Sequence, residues 1–96
     1  MDYKIKWSPK AVENLEAICA FIAKDSPFYA SLTAQNILNL IDNLFVFPLS
    51  GRIVPEYDNE NIRELIYISY RIVYRFKGGI VEIATICHSV KNEIKL

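Results

Sequence analysis

Read without a structure, the 96 residues predict an α+β fold: one strand, an antiparallel helical hairpin, then a three-strand antiparallel meander. Three observations lead there. Asn61 to Phe76, NIRELIYISYRIVYRF, alternates apolar and charged residues with period two and is rich in β-branched and aromatic types, the mark of paired, half-buried strands. Residues 9 to 46 instead carry apolar side chains at three- and four-residue spacing, broken once by Asp25-Ser26-Pro27. Lys77-Gly78-Gly79 then joins two strand-like runs, with Gly-Gly able to supply positive φ.

Tyr3 to Trp7 alternates strictly and reads as the first strand. Ser8-Pro9 opens a helix, with serine as N-cap and proline at the first helical position. Val12, Leu15, Ile18, Cys19 and Ile22 form its apolar stripe, while Lys10, Glu13, Glu16 and Lys24 lie mostly off it. Ser26-Pro27 repeats the device, and a second helix is expected from Pro27 to about Val46, burying Ile37, Leu38, Ile41, Leu44 and Phe45. The link is so short that the helices must run antiparallel. Pro48 ends the second helix, and Pro48 to Asn61 reads as a loop. Three strands follow: Ile62 to Tyr67, Tyr70 to Phe76, and Ile80 to Cys87. Within the second, Tyr70, Ile72, Tyr74 and Phe76 point one way and Arg71, Val73 and Arg75 the other. The tail from Ser89 to Leu96 is short and polar. The helical hairpin is expected on one face of the sheet, with residues 1–96 making a single domain.

Composition narrows the function. Hydrophobic residues are 52% of the chain and charged residues 23%, which fits a globular protein and argues against disorder. No apolar run reaches the length that spans a bilayer, and no secretory leader is visible, so a cytoplasmic location with no membrane partner is expected. Cys19 and Cys87 are far apart and His88 is the lone histidine, so neither a metal site nor a cofactor is expected, and the cysteines read as buried free thiols. Eleven basic residues balance eleven acidic ones, whereas a protein built to grip a phosphate backbone usually shows a basic excess.

Ile62-Arg63-Glu64-Leu65 followed by Tyr70-Arg71-Ile72-Val73-Tyr74 resembles the central sheet signature of the RelE/ParE superfamily, the toxins of bacterial toxin–antitoxin pairs. The predicted element order is also that of this superfamily. Three further motifs resemble the ParE-like (plasmid stabilisation) branch: Trp7-Ser8-Pro9-Lys10-Ala11 at the start of helix one, Ile22 to Pro27 at the helix break, and Gly51-Arg52-Ile53-Val54-Pro55-Glu56-Tyr57 leading into the sheet.

The resemblance implies different residues in the two branches. In the ribosome-dependent RNase branch, the arginine of the Tyr-Arg-x-Val-Tyr segment faces the scissile phosphate. Arg71 matches it, with Arg75 four residues on along the same strand face. The alternative for Arg71 is pairing with a carboxylate on a neighbouring strand or facing solvent. Arg63 either touches a phosphate or pairs across the sheet with an acid such as Glu82. His88, at the end of the last strand, either serves as general acid or base or bonds to backbone. Arg71, His88 and Arg63 are thus the catalytic candidates under the RNase reading. That reading lacks parts, however. Where the lysine-using RNases carry two lysines this chain has Ile62 and Glu64, and Ser89 to Leu96 holds neither arginine nor tyrosine.

The ParE-like reading implies a toxin with no active site of its own, which binds DNA gyrase and traps its cleaved-DNA state. Arg52, Tyr57, Arg71, Arg75 and His88 are then the candidate target- or antitoxin-binding residues, being types that anchor interfaces. The resemblance also implies a cognate antitoxin, whose C-terminal segment folds on the toxin's surface, in a homodimer or a toxin–antitoxin hetero-oligomer. The alternatives are a ribosome-dependent mRNA endonuclease and an inactive family member that still binds its antitoxin. Six tyrosines, five phenylalanines and a mean hydropathy of +0.15 imply uncovered apolar surface on the isolated chain, although Tyr70, Tyr74 and Phe45 are expected in the core.

Overall fold

Two Ser-Pro steps set the helical layer. The computed structural model describes residues 3–89. In it β1 (Lys4–Trp7) leads into α1 (Pro9–Ala23) and α2 (Pro27–Asp42). Ser8 and Ser26 both hold extended backbone, and their hydroxyls accept from the Ala11 and Tyr29 N–H groups at 3.0 and 3.1 Å. Each serine thereby satisfies an N–H that the first turn leaves unpaired. A 3₁₀ turn, Asn43–Phe45, finishes the second helix.

The sheet follows: β2 (Arg52–Ile53), β3 (Ile62–Tyr67), β4 (Tyr70–Lys77) and β5 (Ile80–His88). Its order is β1-β5-β4-β3-β2, with β1 parallel to β5 and every other pair antiparallel. Gly78 and Gly79 both take positive φ at the β4–β5 turn, as that turn requires. β2 lies inside the stretch expected to be loop. With only two residues it has no periodicity to detect, and pairing with β3 alone defines it.

The expected alternation of β4 holds. Tyr70, Ile72, Tyr74 and Phe76 join the core beneath the helices, with Ile37, Ile41, Leu44 and Ile83 among its buried members. Val73 packs with Val54, Ile62 and Cys87 in a second, smaller cluster on the opposite face. The expected helix stripes need correction at three positions. Val12, Leu38 and Phe45 are exposed by 41%, 42% and 43%. Each is one residue round from a fully buried one, namely Ala11, Ile37 and Leu44. A step of about 100° along a helix is enough to carry a side chain off a narrow stripe.

Beyond Ile83, β5 has no strand on its outer side among the described residues, and α1 takes over that edge. Val73 pairs with Thr85 but Tyr74 with Ile83, so Ala84 is the extra residue of a β-bulge. The Ser8 hydroxyl donates to the Ala84 carbonyl at 2.8 Å, and the Ser8 N–H to that of Ile83 at 3.0 Å. One turn further on, Asn14 Oδ1 accepts from the Ile86 N–H at 3.0 Å and the Thr85 hydroxyl at 2.9 Å.

Candidate functional site

The face of the sheet away from the helices carries a chain of alternating charges. Cross-strand pairing places Arg52 of β2 beside Glu64 of β3, and Arg71 of β4 lies diagonally from Glu64, within reach of a long side chain. Arg52 Nε and Arg71 Nε each donate to a separate oxygen of Glu64, both at 2.5 Å. The far end of the Arg71 guanidinium grips Glu56 with both nitrogens, Nη1 to Oε2 at 2.8 Å and Nη2 to Oε1 at 2.9 Å. The order is Arg52, Glu64, Arg71, Glu56, and the four formal charges cancel.

Burial is graded along this chain. The Glu64 side chain is fully buried and that of Arg71 is 8% exposed, whereas Glu56 is 33% and Arg52 62% exposed. A carboxylate as deep as Glu64 is tolerable only with both oxygens ion-paired, as they are here. The Arg71 hydrogen bonds, outweighing some desolvation, hold the Glu56 carboxyl down at about 2. Glu56 in turn holds the Arg71 guanidinium protonated more firmly than usual, against the opposing effect of burial.

Glu56 belongs to a strap, residues 54–61, that crosses this face between β2 and β3. Val54 anchors it, fully buried on Val73 and bonded through its N–H to the Ile62 carbonyl at 3.1 Å. The Tyr57 and Asp58 N–H groups both return to the Val54 carbonyl at 3.1 Å, with Asp58 at φ 46°. Cys87 lies under the strap's apolar end, and burial pushes its thiol up despite the nearby Arg71.

The remaining candidates are placed elsewhere. Arg63 does not reach Glu82. It donates to three backbone carbonyls, of Glu60, Leu49 and Gly51, at 2.9 to 3.2 Å, and so ties the loops on either side of β2 together. Glu82 faces Arg75 instead, at 3.5 Å and with both side chains more than 40% exposed. His88 pairs with Tyr70 in the sheet register, and its ring meets the Tyr70 ring edge-on at 5.5 Å. That is the helix side, while Arg71 and its register partner Cys87 face the strap. Arg71 and His88 therefore stand on opposite faces of the sheet. Tyr57 sits on the strap, 38% exposed. The expected absence of arginine and tyrosine after the last strand concerns residues that, beyond Ser89, lie outside those described.

Arg52 and Arg71 are thus brought together, and Arg63, Arg75 and His88 are dispersed. Sequence reading missed that Glu56 and Glu64 join the first two. Glu64 left a signal, since an acid at the apolar phase of a period-two strand requires cationic partners. Glu56 left none, because its role depends on the path of the strap.

Among the described residues, no helix is long and apolar enough to cross a membrane. The family model described as "ParE toxin of type II toxin-antitoxin system, parDE" matches residues 5–92. The Sinorhizobium fredii protein Y4kP is 35% identical over 88 residues, covering 90% of this chain and 88% of its own. Toxin RelE2 of Caulobacter vibrioides is 29% identical over 89 residues, 92% of this chain and 97% of its own. Among solved structures, the chromosomal ParDE system from P. aeruginosa aligns with a TM-score of 0.73 at 24% identity, covering 90% of this chain and 95% of that one. The RelBE2 toxin–antitoxin complex from Mycobacterium tuberculosis aligns at 0.62 and 17%, covering 92% and 99%. These two likenesses bear out the α+β fold, and the match of the family model over nearly the whole sequence decides membership: the chain belongs to the ParE toxin family of type II toxin–antitoxin systems.

Proposed function

We propose that this toxin acts by binding, with DNA gyrase as its target, and that a cognate antitoxin neutralises it. The observation that carries the reading is the state of Arg71. An arginine that stabilises a scissile phosphate must offer uncompensated charge to it. Here the guanidinium is nine-tenths buried and engaged by two carboxylates, while His88 emerges on the opposite face and Arg63 is taken up by three backbone carbonyls. Cleavage of RNA at its 2′-hydroxyl needs a base, an acid and a cation converging within hydrogen-bond reach. An inhibitor that works through contact alone needs no such convergence.

The antitoxin is supported by the two solved relatives, each described as a toxin–antitoxin assembly, and by the surface of this chain. Phe21, Phe28, Tyr29, Phe47 and Ile68 are each at least 60% exposed. Apolar area of that kind suits a partner segment that folds on contact.

Induction in growing bacteria tests the target. Gyrase poisoning gives DNA-damage signalling and filamentous cells within a generation, relieved by co-expression of the antitoxin. An immediate halt in translation with transcripts cut inside codons would instead establish the endonuclease, and normal growth the inactive form.

A further inference from the structure

The Arg71 end of the charge chain has the build of a receptor. Glu64, fully buried, holds the Nε side of the guanidinium, so the plane of the group is fixed from below. Nη1 and Nη2 are left side by side toward the more accessible end, in the fork that matches a carboxylate. What fills the fork is not part of the sheet. It is Glu56, one acid of a strap that also carries Asp58 and Glu60 and whose residues 55–61 are all exposed. A purely structural salt bridge has no need of this asymmetry, in which one partner is rigid and buried and the other rides on a surface loop.

We propose that the Arg71 fork is a carboxylate-binding site occupied in cis by Glu56, and that an acidic side chain of a protein partner takes Glu56's place when the strap lifts. Exchange of one carboxylate for another leaves the local charge and the hydrogen-bond count unchanged. It therefore has little of the cost of exposing a buried arginine. A phosphate group suits the fork less well, because its second negative charge would face Glu64 across the guanidinium. The proposal concerns this fork alone and does not depend on gyrase being the target.

Removing the internal occupant should leave the fork open to a small carboxylate. The full-length Glu56→Ala variant is compared with wild type, both with Cys19→Ser, so that the labelling rate of Cys87 by a thiol reagent reports strap opening. Loss of a charge-assisted pair on a part-exposed strap should raise that rate roughly tenfold. Sodium acetate should shift the Arg71 Nε–H resonance of the variant and saturate, while sodium chloride at equal ionic strength does not. In a Glu56→Ser variant, which also empties the fork should the alanine variant fail to fold, acetate should shift the same resonance. Labelling of Glu56→Ala no faster than wild type would overturn the proposal, as would acetate acting no more than chloride. Phosphate shifting that resonance as strongly as acetate would overturn the assignment to carboxylates.

Discussion

Glu56 couples the strap to pH. Its carboxyl titrates at about 2 in the folded chain against an ordinary 4.5, chiefly because of the hydrogen bonds from Arg71. A depressed folded value means that the stabilisation is fully present above 4.5 and is lost as pH falls through about 2. The urea midpoint of wild type should therefore exceed that of Glu56→Gln by a constant margin near neutral pH, and the margin should shrink through that acid window. A margin that stayed flat down to the lower end would mean that the Glu56 charge is not what Arg71 holds. Glu64 lies deeper in the same chain, where removal of the buried partner Arg71 would cost about 3–5 kcal/mol. Tyr74 shows a neutral version of this economy. Fully buried, it donates to the Pro48 carbonyl at 2.8 Å and accepts from the Gly51 N–H at 3.0 Å. Gly51 is held to glycine by closeness, since a Cβ there would come within 2.6 Å of the Glu64 carbonyl oxygen and 2.7 Å of the Tyr74 hydroxyl.

The helices and long strands were legible because each follows a local rule. Two Ser-Pro caps fixed both helix starts, and period-two alternation located β3, β4 and β5 to within a residue. β2 was not legible, because two residues hold no period. Nor was the bulge at Ala84, whose carbonyl meets the hydroxyl of Ser8, distant in sequence. Asn14 is the clearest case. An asparagine inside a helix is unremarkable in sequence, yet its side-chain carbonyl takes the Ile86 N–H, which no described strand pairs on that edge. Asn14→Ala should destabilise the protein by about 1–3 kcal/mol, the cost of stranding a buried donor, and should speed hydrogen exchange at the Ile86 amide. Asn14→Asp keeps the acceptor and should stay close to wild type. If the alanine variant matched wild type in urea, the edge would not depend on this contact.

Taken whole, the molecule has two unlike faces on one sheet. Helices cover one, and the strap with its charge chain covers part of the other. The site was half legible in the sequence. Arg71 and Arg52 could be picked out by residue type and motif, but the acids that neutralise them could not, because the pairing depends on register and on a loop's path. Expected core aromatics divided in the same way: Tyr70 and Tyr74 turned inward on a strand, while Phe45 at a helix end did not. The exposed aromatics left over lead to a prediction for the chain as a whole. Alone it should self-associate, as read by light scattering, and co-expression with the neighbouring reading frame should give a soluble complex. A monodisperse isolated monomer would count against an uncovered partner surface.

The parallel pairing of β1 with β5 has a consequence for synthesis. It joins the first described strand to the last, and the Ser8–Ala84 bond beside it spans 76 positions. At roughly 5–20 residues per second of translation, the two helices wait for seconds beside the ribosome before the strand that seats them emerges. During that interval the nascent chain presents bare apolar helix faces and no finished sheet. A partner that recognises sheet and helices together can engage the chain only once β5 has emerged, so the fold and its recognition surface mature in the same step.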